Sequence, residues 1–122
     1  MFSERPANRR LCLYIPNKDR NGNPVYRLDE WINEACLVLV AMCGGASRPL
    51  PLSGFWQTSA GKLIEETTHT VFSFIDPHAL KSNWSLLSDF IERFLTETNQ
   101  ESVAIEYDGA MHFVSSIALV TA

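Results

Sequence analysis

The sequence predicts a small α+β domain in which two helices pack on one side of an antiparallel sheet. Three observations carry that expectation. Leu28 to Cys43 and Ser82 to Thr98 both hold apolar residues at helical spacing. Extended apolar runs surround them in the order strand, helix, two strands, helix, strand. Finally, Ser59-Ala60-Gly61-Lys62 and Asp108-Gly109 each join two extended runs, and glycine there supplies the positive φ of a tight connection.

Composition sets the outer bounds. With 122 residues, 46% of them apolar and 20% charged, the chain has the size and balance of one globular domain with a single core. Its longest apolar run, Ala35 to Cys43, is nine residues, far short of the roughly 20 that a membrane-spanning helix needs. The opening MFSERPANRR has no apolar signal core, so a cytoplasmic location without membrane attachment is expected. Cys12, Cys36 and Cys43 are odd in number and lack CxxC spacing, which reads as reduced thiols. No metal or cofactor is expected from them.

The net charge of −4 is unevenly spread. Residues 1–27 carry six basic against two acidic groups, a net +4, and the remainder carries a net −8. A basic segment can meet an anionic ligand or rest on the protein's own acidic surface. The acidic balance beyond it disfavours nucleic acid.

Taken in order, Leu11 to Ile15 is a short apolar strand ended by Pro16. Asn17 to Pro24, NKDRNGNP, is dense in turn formers and reads as a loop, with Lys18 and Arg20 as candidates to hold a small anion. The helix from Leu28 has Asp29 and Glu30 in its first turn and Gly44-Gly45 at its end, as the macrodipole and C-cap geometry favour. Its second half is apolar nearly all round, so burial on more than one side is expected.

Arg48-Pro49-Leu50-Pro51 is an extended linker into the hairpin Gly54 to Phe74, whose second strand runs from about Glu65 to Ile75 with its far end apolar on both faces. Asp76-Pro77 ends that strand, and His78 falls in a turn. In the second helix Leu87, Phe90, Ile91, Phe94 and Leu95 form one clean stripe. For the last hairpin, a three-residue loop of Asp108, Gly109 and Ala110 keeps Val103, Ile105, Tyr107, Met111 and Phe113 on one face and pairs Glu106 with His112. Ile117 to Val120 reads as a further short strand or an arm.

This order is that of a ferredoxin-like β-α-β-β-α-β sandwich with a C-terminal hairpin extension. Residues 1–10 form a basic arm, and 11–122 form one domain. The helix-free sheet face carries several large apolar side chains, so a homodimer or a ligand is expected to cover it.

The run Gly54-Phe55-Trp56, then Gly61-Lys62-Leu63-Ile64, then Glu66 and Thr68, resembles the hairpin of the domain of unknown function 3574 family. Arg10-Leu11, Trp31 and Gln100-Glu101-Ser102-Val103 extend the resemblance over most of the chain. It implies the same fold and no particular activity.

No GxSxG nucleophile, phosphate loop or GxGxxG is present. The primary expectation is therefore a non-enzymatic binding module, a homodimer that takes a protein partner or small ligand on its sheet face. One alternative is a small enzyme or metal site built from His69, Glu106 and His112, with Glu65 nearby, since two histidines and a carboxylate can ligate a metal or move protons. Another is a binder of a nucleotide or other phosphate-bearing anion through the basic arm and the Lys18–Arg20 loop. Trp56, with Trp31, is a candidate aromatic wall, and Glu66 is the acid that the resemblance singles out.

Overall fold

The computed structural model describes residues 7–115. Strand β1 (Arg9–Pro16) is followed by helix α1 (Leu28–Cys43), strands β2 (Leu52–Gln57) and β3 (Leu63–Ile75), helices α2 (Pro77–Ser82) and α3 (Trp84–Glu97), and strands β4 (Val103–Tyr107) and β5 (Ala110–Val114). All five strands form one antiparallel sheet in the order β2-β3-β1-β4-β5. Ile117 to Val120 lies outside the described residues.

Alternation along the strands divides the sheet's two faces. Leu11, Leu13 and Ile15 of β1, Val71 and Ile75 of β3, and Val103 and Ile105 of β4 point toward the helices and are buried. Against them α1 packs Ile32, Ala35, Leu39 and Met42, and α3 packs Leu87, Phe90, Ile91, Phe94 and Leu95. Trp31 joins this layer, meeting Phe94 edge-on at a centroid distance of 5.3 Å. The second side of α1 is open in the single chain, with Leu37 67% exposed.

β3 is the organising strand. Its first half pairs with β2, from Leu63↔Gln57 to Thr68↔Leu52. From Thr68 onward its other edge pairs with β1, from Thr68↔Pro16 to Ile75↔Arg9. The two neighbours are thus staggered along β3, and stagger of this kind makes a sheet coil rather than lie flat. The β2–β3 tip overhangs the end of β1 and bends across it. There the Ser59 hydroxyl donates to Glu101 Oε1 at 3.4 Å, just before β4.

The result corrects the ferredoxin-like sandwich expected from the element order. Among the described residues the sheet is a curled five-stranded half-barrel, three helices are present instead of two, and β5 is a full member of the sheet. The extra helix is α2. Asp76 caps it by accepting from the Ala79 backbone N–H at 2.8 Å, and Pro77 occupies its first turn. Asp-Pro, read as a strand stop, is here a helix start, and His78 is helical.

The last hairpin is also corrected. Its loop has two residues, with Tyr107↔Ala110, Glu106↔Met111 and Ile105↔His112 as partners. Asp108 (φ 51) and Gly109 (φ 82) both take left-handed backbone, which is the geometry a two-residue turn requires. Matching apolar with apolar failed as a guide because β5 is, among the described residues, an exposed edge strand, so its pairing gains little from burial. Phe74, 47% exposed, likewise shows that the far end of β3 is covered on one face only.

If α3 holds the core as described, Phe94→Ala costs about 3–5 kcal/mol in urea unfolding, because it empties a fully buried site. A loss below about 1 kcal/mol contradicts this packing.

Candidate functional site

The helix-free face of the curled sheet is concave. It holds a cavity of about 380 Å³, within the range of small-molecule sites, about 300–1,000 Å³. Residues of β2 and β5 both line it, although in a flat sheet those strands would stand about 19 Å apart. Curling is what makes one cavity of them.

Four groups give the cavity its chemistry. Trp56 of β2 and Phe113 of β5 supply aromatic surface from opposite edges. Glu66 of β3 faces the same space, and its Oε2 is buried with no hydrogen-bond partner among the described residues. Tyr14 of β1 lines the floor, and its hydroxyl donates to Glu106 Oε1 at 3.0 Å. The other oxygen of Glu106 lies 3.6 Å from Arg10 Nε, and the Arg10 guanidinium sits 4.2 Å from the centroid of the Phe72 ring.

Space in the cavity depends on Gly54. A Cβ there would stand 2.6 Å from the Thr68 hydroxyl oxygen, so any larger residue requires the buried Thr68 side chain to shift.

Burial sets the ionisation of these groups. It pushes the Glu66 carboxyl above its ordinary 4.5, against the opposing influence of the nearby Trp56 indole and the Lys18 charge. Burial, then the Glu106 hydrogen bond, raise Tyr14 to about 12. Cys12, beside Glu106 in the sheet and fully buried, is also raised by desolvation and stays a thiol.

The structure brings together only some of the residues singled out from sequence. Trp56 and Glu66 do meet in the cavity. The set His69, Glu106 and His112 does not assemble. His69 pairs with Ile15 and His112 with Ile105, which puts both on the helix side, whereas Glu106 pairs with Cys12 on the other face. The strands of the two histidines are three spacings apart, about 14 Å. Among the described residues no group of three His, Cys, Asp or Glu side chains gathers to hold a metal.

Lys18 and Arg20 serve the loop itself. Lys18 Nζ donates to the Glu65 carbonyl at 2.8 Å, and Arg20 Nη2 donates to the Gln100 carbonyl at 2.7 Å. Arg9 and Arg10, assigned to a basic arm, are the first residues of β1 and lie against Asp108 and Glu106. Trp31 is on the helix side and forms no wall with Trp56.

Sequence reasoning missed Tyr14. Its signal was the alternation Arg10, Cys12, Tyr14, Pro16, a polar-leaning face opposite Leu11, Leu13 and Ile15.

These features define a class: a curled antiparallel α+β half-barrel with a ligand-sized cavity on its helix-free face. Of solved structures, the chain is similar to a phage SAM lyase in complex with S-methyl-5′-thioadenosine, with a TM-score of 0.68 and 12% identity over 95% of both chains. It is also similar to a phage SAM lyase in the apo state, with a TM-score of 0.61 and 14% identity over 95% of this chain and 96% of that one. At such identities the likeness is one of fold. No protein-family model and no curated protein matches the chain. The expectation of a non-enzymatic binding module is corrected by these neighbours, which are enzymes. Among the described residues no helix is long and apolar enough to cross a membrane.

The raised Glu66 carboxyl has a consequence for stability. A carboxyl whose folded value is raised favours folding fully below pH 4.5, and that contribution is lost as pH rises through the folded value. Glu66→Gln is therefore expected to stabilise the protein at neutral pH, with the gain vanishing in acid. Urea midpoints across pH test this; a less stable variant at neutral pH contradicts it.

Proposed function

We propose that this protein is a small enzyme that takes an S-adenosyl sulfonium compound into the concave cavity, breaks a carbon–sulfur bond and releases methylthioadenosine. The observation that carries the reading is Glu66 Oε2, a buried carboxylate oxygen without a partner, in a cavity that also presents the Trp56 ring. An unpaired buried charge is costly, and a cation placed beside it removes that cost. A sulfonium is such a cation, and aromatic faces attract it as well. The fold likeness to a SAM lyase that holds methylthioadenosine, spanning 95% of both chains, supports the same class of ligand.

The chemistry asks little of side chains. When the carbon–sulfur bond breaks, its electron pair stays on sulfur, which leaves as a neutral thioether and needs no proton. The carbon it leaves takes an electron pair from the substrate's own carboxylate oxygen and closes a ring. Charge and atoms balance without an added base, which suits a cavity where Tyr14 keeps its proton. Glu66 and Trp56 contribute affinity and orientation, holding the sulfonium while the rest of the substrate folds back on it. The absence of nucleophile and phosphate-loop motifs is then no argument against catalysis.

Purified protein incubated with S-adenosylmethionine is expected to release methylthioadenosine faster than a protein-free control, which corrects for spontaneous decay. Trp56→Ala is expected to lower the rate by about tenfold through lost binding. Release no faster than the control, with no binding by calorimetry, contradicts the proposal.

A further inference from the structure

Tyr14 offers the cavity something more specific than polarity. A phenol has one proton to donate, and Tyr14 gives it to Glu106 Oε1 at 3.0 Å. Glu106 cannot turn away freely, because its second oxygen is held by Arg10 at 3.6 Å, and Arg10 is itself packed on the Phe72 ring at 4.2 Å. Tyr14 lines the cavity, and with its proton so committed its phenolic oxygen presents lone pairs only. It can accept a hydrogen bond from a ligand and cannot give one.

Its place along the sheet says which part of a ligand it meets. Tyr14 stands opposite Thr70 on β3, on the same face as Glu66, four residues nearer the start of that strand. Four residues along a strand are about 13 Å, which separates the two groups toward opposite ends of the cavity. In an adenosyl sulfonium the cation sits on the 5′ carbon of the ribose, with the amino-acid chain beyond it, and the purine 6-amino group, a donor, lies at the far end of the nucleoside.

We infer that Tyr14, fixed as an acceptor by Glu106 and Arg10, selects a 6-aminopurine over a 6-oxopurine at the end of the cavity away from Glu66. This rests on the function proposed above and adds the base specificity of the same site. Tyr14 is the residue that touches ligand, and Glu106 is a positioning residue that acts through it. Both burial and the Glu106 bond keep Tyr14 protonated throughout the neutral range, so the arrangement does not depend on pH there.

The experiment compares binding of methylthioadenosine and methylthioinosine, the 6-oxo analogue, by calorimetry on the full chain. Wild type is expected to prefer the amino compound by about tenfold, the scale of one matched hydrogen bond against a mismatched acceptor pair. Tyr14→Phe is expected to erase the preference while still binding. Glu106→Leu frees the phenol proton to point into the cavity and is expected to shift the preference toward the oxo compound, a change that mere loosening of the sheet does not produce. Circular dichroism establishes that each variant is folded, and Glu106→Gln, which can still accept from the phenol, is expected to retain the wild-type order. Equal binding of the two compounds by wild type, or a preference untouched by Tyr14→Phe, overturns the inference and leaves the proposed function standing. Binding of neither compound by wild type overturns both.

Discussion

The change of partner along β3 at Thr68 governs the rest of the structure. One residue pairs with Leu52 on one side and Pro16 on the other, so β2 and β1 meet β3 over different halves of its length. A sheet staggered this way coils, and the overhanging tip crosses the end of β1 to reach Glu101. Without that stagger the same side chains would lie on a flat surface open to water. With it, Trp56, Glu66, Tyr14 and Phe113, from four different strands, line one cavity. Gly54 completes the arrangement, since a side chain there would strike Thr68 at the point where the sheet bends.

Opposite faces of the sheet then carry opposite physics. The helix side is mainly a layer of Leu, Ile, Val and Phe that supplies stability, although His69 Nδ1 and the Tyr107 hydroxyl on that parity are also buried without a partner among the described residues. The concave side holds a carboxylate oxygen with no partner and a tyrosine whose proton is committed elsewhere. The unpartnered carboxylate oxygen costs free energy in the empty protein, and a ligand of the right charge repairs it. Such places in a fold, where stability is given up locally, are where binding energy is available.

How much of this was legible in the sequence follows from what each signal depends on. Helix α1 was readable to its end residues because its stripe, its acidic first turn and Gly44 all agree. The stripe of α3 was readable for the same reason: its five apolar positions are the five that are buried. The Asp108-Gly109 register was misread because burial was assumed to decide it, and on an exposed edge strand turn chemistry decides instead. Trp56 and Glu66 were identifiable because they stand three and four residues from the hairpin turn, near the tip that curls. Tyr14 and its tie to Glu106 were not, since 92 residues separate them and only the placement of β4 beside β1 joins them. The histidine set failed for a simple reason: strand parity put His69 and His112 on the helix side and Glu106 on the other.

The central claim is that the concave face, and not the helical surface, is where ligand binds. The chain has three tryptophans, and they report on different places. Trp56 lines the cavity, whereas Trp31 and Trp84 pack against the helix-side core. Titrating isotope-labelled protein with methylthioadenosine and following the indole N–H resonances reads all three at once. The Trp56 resonance is expected to move and saturate while Trp31 and Trp84 stay in place. Movement of Trp31 or Trp84 with Trp56 silent would contradict it.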